Sequence, residues 1–335
     1  MKKLIIAILL IFAKFVTAST PITCTALSDL GYKYMYFGFT GTSTDTFTIA
    51  HSNDDLTWTN LGGSWPSCGN GSPCKVNSPS AVCYKNNLYL LIAEANDSNY
   101  NSTVQDIGVL NTDYSVTTLL TFDWASLGSV STIFAGRWEA VSGSTNCFTT
   151  PVTFSSGFFS WSTYQACASL TPTSASITSG PTLLTNTGAV NGMYDTQVIQ
   201  QGSTCNLVGS QTNSGLTFRT AAISTGACPA GPFTWQTNAA TGGSPLAAQS
   251  TVSTQNEGPN YLQTNNAGGW YFYFESISPT HVMYGANCTP VTISSCTIST
   301  PVAWTEDQTY RAGTILKMTT GTFMTGVVTI GTVIQ

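Results

Sequence analysis

The stretch from Glu257 to Glu275 reads EGPNYLQTNNAGGWYFYFE, and it shows the pattern on which the fold prediction depends. Its second half, Gly269–Glu275, is rich in aromatic residues, which is typical of a β-strand. Asn and Gly residues separate this half from the run that begins at Glu257, and such residues favour turns. The stretch therefore predicts short strands joined by a turn.

Short alternating or aromatic-rich runs recur along the whole chain, whereas helical patterning is almost absent. Many short strands separated by Gly, Asn, Ser and Asp predict an all-β sandwich, barrel or propeller. The runs are Tyr32–Phe39, Phe47–His51, Ala81–Ala93, Asp106–Leu110, Thr149–Phe154, Gly157–Thr163, Thr196–Gly209, Phe218–Ile223, Gly269–Glu275, Val282–Tyr284 and Gly313–Met318.

A coarse repeat favours the propeller. Five landmarks are separated by 59, 57, 62 and 54 residues: Pro79, Trp138, Asp195, Glu257 and Arg311. Each interval holds four strands of ordinary length, which make one propeller blade. The last unit has only 25 residues, and the segment Cys24–Leu61 supplies about the length that it lacks. The prediction is one five-bladed β-propeller over residues 19–335, closed by both chain ends, and a two-sheet jelly roll is the alternative.

The N-terminus predicts export. Met1-Lys-Lys precedes an apolar run from Leu4 to Ala13, and small residues stand at Val16 and Ala18. This is the pattern of a signal peptide over residues 1–18, with a membrane anchor as the alternative. We therefore expect a secreted, extracellular protein without membrane association after cleavage. Four Asn-X-Ser/Thr sequons predict a glycoprotein: Asn70, Asn96, Asn101 and Asn287.

The cysteine content agrees with an oxidising compartment. The chain has ten cysteines, an even number, without a spacing that suggests zinc. Pairing of neighbours along the chain is one of many possible connectivities. It would give Cys68–Cys74, Cys147–Cys167, Cys205–Cys228 and Cys288–Cys296, and would leave Cys24–Cys83.

The charge balance limits the partners. Only 7% of the residues are charged and the formal net charge is −5, which argues against nucleic acid. A neutral polysaccharide or oligosaccharide suits such a surface better. We expect a monomer without a cofactor, and the sequence leaves open a structural ion in the central channel.

Five segments, in the right order, resemble glycoside hydrolase family 43 and its relatives in the arabinanase, levansucrase and invertase superfamily. The likeness spans nearly the whole mature chain. The segments are IAHSNDDLTW (Ile49–Trp58), SPSAVCYKNNLYLL (Ser78–Leu91), YDTQVI (Tyr194–Ile199), EGPNYL with GWYFYFE (Glu257–Leu262, Gly269–Glu275) and RAGTIL (Arg311–Leu316).

The resemblance implies an inverting glycosidase that acts on arabinofuranosyl or xylosyl linkages. Inversion needs a general acid and a general base about 6.5–9.5 Å apart. Glu257 matches the family's general acid, and Asp195 matches the carboxylate that tunes it. The family's general base is an Asp at the start of the first blade, for which Asp29 is the candidate.

Several features depart from the family's pattern. Asp29 lacks the usual following Pro, Ala81 stands where Asp is frequent, and Ala312 replaces the histidine of the closing motif. Glu139 is a compensating candidate carboxylate. The predicted substrate-binding residues are Arg137, Trp138, Trp270 and Arg311, with a core position as the alternative for Trp138 and a bound carboxylate for Arg311.

Two functions follow from these residues. One is a glycoside hydrolase, and the other is a catalytically inactive propeller that binds carbohydrate.

The remaining candidate residues have no predicted role in the site. Asp54 and Asp55 fit a structural turn, and His51 and His281 stand isolated in the sequence.

Overall fold

The computed structural model describes most of the chain after residue 18. The described residues are 19–41, 46–66, 75–94, 102–134, 136–139, 141, 146–154, 161–187, 193–201, 203–212, 219–235, 256–263, 270–277, 281–289, 297–298, 300–311, 313–319, 322–325 and 328–329. The predicted signal peptide and the sequons at Asn70, Asn96 and Asn101 lie outside them, as does the side chain of Asn287. Within these residues no helix is long and apolar enough to cross a membrane.

The regular secondary structure of the described residues is nearly all β-strand. Two short helices are exceptions, the α-helix α1 (Cys24–Ser28) and a 3-10 helix (Trp124–Leu127). The first thirteen strands are β1 (Tyr34–Thr40), β2 (Thr46–Ser52), β3 (Thr57–Gly62), β4 (Val76–Tyr84), β5 (Asn87–Glu94), β6 (Val104–Leu110), β7 (Val116–Asp123), β8 (Thr132–Ile133), β9 (Arg137–Trp138), β10 (Cys147–Thr153), β11 (Ser162–Thr171), β12 (Ser174–Leu183) and β13 (Asn186–Thr187). The others are β14 (Tyr194–Gln201), β15 (Thr204–Thr212), β16 (Arg219–Ala227), β17 (Phe233–Trp235), β18 (Asn256–Gln263), β19 (Trp270–Ser276), β20 (Val282–Thr289), β21 (Thr297–Ile298), β22 (Val302–Ala303), β23 (Thr305–Glu306), β24 (Thr314–Thr319), β25 (Thr322–Thr325) and β26 (Val328–Thr329).

The strands form five sheets, which are the five blades of a propeller. Blade I has the order β23-β3-β2-β1-β24-β25-β26, and blade II is β4-β5-β6-β7. Blade III contains β8 to β12, blade IV contains β13 to β17, and blade V contains β18 to β22. The all-β, five-bladed fold predicted from the repeat is confirmed.

Five strands surround the central axis, one from each blade. β24 contacts β4, β4 contacts β9, β9 contacts β14, β14 contacts β18, and β18 returns to β24. We call these five the axial strands. The ring closes within blade I, where the N-terminal β1 pairs with the C-terminal β24 from Tyr34↔Lys317 to Phe37↔Thr314. Closure by both chain ends, as predicted, leaves no open edge between the first and the last blade.

The hydrophobic core lies between neighbouring blades, because each blade presents apolar side chains to the next. One cluster joins blades I and II and includes Met35, Phe37 and Leu90. A second joins blades II and III around Trp124 and Trp138. This interlocking fixes the angles between blades and therefore positions the axial strands.

Three disulfides lie within the described residues. They join Cys24 to Cys83, Cys147 to Cys167 and Cys205 to Cys228, as the neighbour-pairing scheme proposed. The first ties α1 to the axial strand β4. The proposed pairs Cys68–Cys74 and Cys288–Cys296 fall outside the described side chains.

Candidate active site at the axial rim

A β-bulge stands at the start of three axial strands. The strand pairing shifts register between Asn77 and Ser80 in β4, between Tyr194 and Gln197 in β14, and between Glu257 and Asn260 in β18. A bulge redirects the side chains around it and frequently lies beside an active site. The three bulges lie at the same end of the ring, where these axial strands begin. We call this end the axial rim.

Hydrogen bonds join the beginnings of neighbouring axial strands at this rim. The Trp138 N–H donates to Ser80 Oγ at 3.0 Å, and Gln197 Nε2 donates to the Trp138 carbonyl at 2.8 Å. Thr314 Oγ1 donates to the Pro79 carbonyl at 3.2 Å. Residues far apart in sequence are therefore held at one level of the ring.

Asp195 and Arg137 form a buried pair of opposite charges at the rim. Each is only 1% exposed. Ser210 Oγ donates to Asp195 Oδ2 at 3.1 Å, and Arg137 Nη1 donates to the Gly313 carbonyl at 3.0 Å. Burial lowers the pKa of Arg137, and the nearby charge of Asp195 opposes that effect. The guanidinium thus supplies positive charge to a carboxylate that is out of contact with bulk water.

Backbone geometry also distinguishes Asp195. Its φ is +52°, in the left-handed region that non-glycine residues seldom occupy. Asp tolerates this conformation better than most residues because its short polar side chain can bond locally. Such strain persists where the surrounding structure imposes it, which is frequent at functional sites.

A second ionic cluster lies next to this pair, where blade V meets blade I. Arg311 Nε donates to Glu275 Oε1 at 2.5 Å, and the guanidinium carbon lies 5.0 Å from the centre of the Phe39 ring. The hydroxyl of Tyr36 donates to the Arg311 carbonyl. Burial raises the pKa of Tyr36 well above its usual value, and the charge of Glu275 adds to this effect. Tyr36 also interacts electrostatically with Arg137, so the two clusters are neighbours.

The backbone of Glu257 lies at the same rim. It pairs directly with Glu275 across the β18–β19 ladder, immediately before the bulge. The side chains of Glu257 and Trp270 lie outside the described residues. Their predicted roles in catalysis and substrate binding therefore remain predictions.

Comparisons with known proteins identify the fold. A thermostable family-43 glycoside hydrolase superposes with a TM-score of 0.61 at 9% identity, over 83% of this chain and 92% of that one. A putative exo-β-1,3-galactanase from Bifidobacterium bifidum s17 gives a TM-score of 0.57 at 13% identity, covering 83% and 91% of the two chains. An exo-1,5-α-L-arabinanase from a bovine ruminal metagenomic library gives 0.55 at 11%, covering 80% and 92%. The chain has the five-bladed propeller of family 43 glycoside hydrolases. No family model and no curated protein matches its sequence.

The candidate base of the family 43 pattern, Asp29, is not brought to the rim. Asp29 is exposed and forms the C-cap of α1, whose first residue, Cys24, bonds to Asn86 in the β4–β5 turn. That turn follows the last residue of β4, whereas the rim lies at its beginning. The carbonyl of Lys33, four residues after Asp29, accepts a hydrogen bond from the N–H of Met318 near the end of β24. Asp29 therefore lies at the opposite end of the ring from Asp195.

Glu139 and Trp138 lie close to the rim in blade III. Glu139 is 6% exposed, and its Oε1 accepts a 2.6 Å hydrogen bond from Gln165 Nε2. Trp138 is 2% exposed and packs edge-on against Phe148, so it occupies the core position that the sequence left open. Its indole therefore presents no exposed face for a sugar to stack on.

The two carboxylates in the Ser-x-Asp-Leu turn have structural contacts. Asp55 Oδ2 accepts a hydrogen bond from the Tyr273 hydroxyl at 3.3 Å. Asp54 Oδ1 accepts hydrogen bonds from the backbone N–H groups of Leu56 and Thr57, at 3.0 and 2.7 Å. The hydrogen bond from Thr57 is the main reason why the pKa of Asp54 falls to about 2. The structural interpretation of this turn agrees with these contacts.

Several residues of the site were not predicted from the sequence, among them Glu275 and His281. His281 is not isolated, because its Nδ1 lies 2.5 Å from Glu275 Oε1. Glu275 belongs to the end of one strand, and His281 directly precedes the next. A six-residue Glu–His spacing across a predicted hairpin connection was the available signal.

Proposed function

We propose that this protein is a secreted glycoside hydrolase that cleaves arabinofuranosyl or xylosyl linkages of polysaccharides or oligosaccharides. The observation that carries the proposal is the buried Asp195–Arg137 pair at the axial rim. Burying two charges is costly, and their mutual attraction seldom makes a fold more stable than apolar residues would. Such a pair next to a strained backbone is therefore better explained by chemistry than by stability.

The rim suits acid–base chemistry on a glycosidic bond. In this proposal Glu257 protonates the leaving oxygen, as the matching family residue does, and its backbone is fixed beside the bulge of β18. Asp195, held by Ser210 and charged Arg137, orients the acid and favours its protonated state through its own negative charge. Glu139, close by in blade III, is the candidate for activating water, because Asp29 lies at the other end of the ring.

The substrate assignment rests on the resemblance and on the structural neighbours. One neighbour is an arabinanase, which agrees with arabinofuranosyl linkages. Another is a putative β-1,3-galactanase, so galactosyl linkages are the first alternative to test. The disulfides agree with an extracellular protein, because such bonds persist in oxidising compartments.

The second candidate function is a carbohydrate-binding propeller without catalysis. The position of Asp29 favours it. An inverting mechanism needs a base about 6.5–9.5 Å from the acid, on the other side of the same sugar ring, whereas Asp29 lies at the other end of the propeller. In addition, Ala81 and Ala312 stand where the family pattern has polar residues. Both functions place the sugar at the axial rim, and they differ only in turnover.

The deciding experiment measures sugar release from arabinan, arabinoxylan, β-1,3-galactan and matching aryl glycosides. Replacing Glu257 by Gln retains the shape and removes the acid, so turnover on unactivated substrates should fall by roughly 10²–10⁴-fold. Asp195→Asn should also slow turnover, and Asn tolerates the same left-handed backbone. Asp113→Asn is the control, because Asp113 is exposed in the turn between β6 and β7.

The outcomes separate the two candidates. Equal rates for wild type and Glu257→Gln would remove Glu257 from the mechanism. Glycan binding without release of sugar from any substrate would establish the binding propeller instead.

A further inference from the structure

His281 stands at the axial rim, level with the proposed acid. The pairing Glu257↔Glu275 places the end of β19 beside the start of the axial strand β18. The pairing Ser276↔Val282 then places His281 next to that point, at the start of β20. The fold therefore brings His281 to the same end of the ring as Asp195 and Arg311.

Contact with Glu275 determines which ring nitrogen of His281 carries the hydrogen. The Glu275 side chain is fully buried, and its Oε1 accepts a hydrogen bond from Arg311 Nε while lying 2.5 Å from His281 Nδ1. A carboxylate oxygen that is bonded to a guanidinium has no hydrogen to donate. His281 Nδ1 is therefore the donor, and Nε2 carries no hydrogen in this tautomer, so it is an acceptor.

His281 is the most exposed of the three side chains in this cluster. The His281 side chain is 25% exposed, whereas Glu275 is fully buried and Arg311 is 11% exposed. In the described part of the chain, Nδ1 is the one nitrogen of this ring that has a hydrogen-bond partner. The imidazole is thus the most exposed member of an oriented row, Arg311–Glu275–His281.

We propose that His281 is a substrate-binding residue whose Nε2 accepts a hydrogen bond from a sugar hydroxyl at the axial rim. This inference rests on the proposed carbohydrate site, and it holds for both the hydrolase and the binding propeller. A sugar hydroxyl can donate as well as accept, so a ring nitrogen that only accepts fixes both the position of the hydroxyl and the direction of its O–H. Glu275 acts as the positioning residue for the ring.

Two isosteric variants test the proposal. In His281→Asn the amide nitrogen takes the place of Nδ1 and keeps the bond to Glu275, but nothing replaces Nε2. In His281→Gln the longer side chain places an amide oxygen near the position of Nε2. Calorimetric titration with arabino-, xylo- and galacto-oligosaccharides should show affinity reduced about 3- to 10-fold in His281→Asn and partly restored in His281→Gln.

His51→Asn is the matched control. His51 pairs with Met35 at the beginning of β1, and Met35 also pairs with Leu316. Arg311 bonds to Phe39 near the end of β1, so His51 lies at the end of this strand that is away from the rim. The control should bind like the wild type, and the unfolding midpoint of His281→Asn should stay close to the wild-type value. If the protein is active, His281→Asn should raise KM more than it lowers kcat.

The results distinguish this proposal from the proposed function. Unchanged glycan affinity in His281→Asn would overturn the assignment of Nε2 and leave the proposed function intact. If the wild type binds none of the oligosaccharides, both proposals are overturned. If His281→Asn binds more weakly and the wild type releases no sugar, the role of His281 in binding is supported, and only the proposal of hydrolysis is contradicted.

Discussion

Glu306 links blades V and I, and its titration should control stability near neutral pH. It lies on β23, which leaves blade V and pairs in parallel with β3 of blade I. Its carboxylate accepts hydrogen bonds from the N–H groups of Met283 at 3.2 Å and Tyr310 at 3.4 Å. Burial raises the pKa of Glu306 to about 7, the two hydrogen bonds oppose this, and the charge of Glu275 adds to it.

The sign of the effect follows from this raised pKa. The folded state holds the proton more tightly than the unfolded chain, whose Glu titrates near 4.5. The stabilising contribution is therefore complete below pH 4.5 and is lost as the pH rises through about 7. At ~1.4 kcal/mol per pKa unit between 4.5 and about 7, the ceiling is about 3.5 kcal/mol. Because Glu306 is only partly buried, solvent screening reduces the expected loss to roughly 1–2 kcal/mol.

Glu306→Gln should remove this pH dependence. Guanidinium unfolding of wild type and variant at several pH values between 4.5 and 8.5 measures it as a difference in slope. The wild type should lose roughly 1–2 kcal/mol more than the variant across this range. Replacing an acceptor oxygen by an amide costs the variant a similar amount at every pH, so it leaves the slope unaffected. Asp29→Asn, at an exposed site, is the control, and a slope in Glu306→Gln equal to that of wild type would refute the reasoning.

Two further predictions concern ring closure and crosslinking. An alanine at Gly313 would place its Cβ 2.4 Å from the Phe37 carbonyl oxygen, so Gly313→Ala should cost about 1–3 kcal/mol of stability. Gly285→Ala is the control and should cost less, because the nearest atom to its Cβ would be 3.3 Å away. Thermal unfolding of the two variants checks this, and equal midpoints would contradict the close approach of β1 to Gly313. Replacing Cys24 and Cys83 by Ala opens a loop with a separation of 59 residues and should cost about 4 kcal/mol, against about 3 kcal/mol for Cys205 and Cys228, separated by 23. Denaturant unfolding of both double variants tests the order, and a reversed order would show that native-state strain outweighs loop entropy.

Much of the fold was predictable because each blade repeats the same strand pattern. The landmarks Pro79, Trp138, Asp195 and Glu257 each lie on an axial strand, and Arg311 precedes the fifth. The shortness of the last unit correctly predicted closure by both chain ends. Local composition was enough to predict the blades, because strand lengths and turns depend on residues that are near one another in the sequence.

The site was less predictable because its contacts form between blades. Nothing near Arg137 in the sequence indicates that its guanidinium reaches Gly313 and the charge of Asp195. Asp29 matched the expected order of motifs, but the direction of β1 places it at the end of the ring opposite the rim. His281 was missed because its partner, Glu275, was read as part of a strand motif rather than as a side chain at the rim.

A crystal structure of the Asp195→Asn variant with a bound arabino- or xylo-oligosaccharide tests the central claim most directly. We expect a sugar at the axial rim, in contact with residues at the starts of β14 and β18 and within reach of Arg311. A sugar bound only on the outer strands of the blades, or at the end of the ring that carries Asp29, would contradict it.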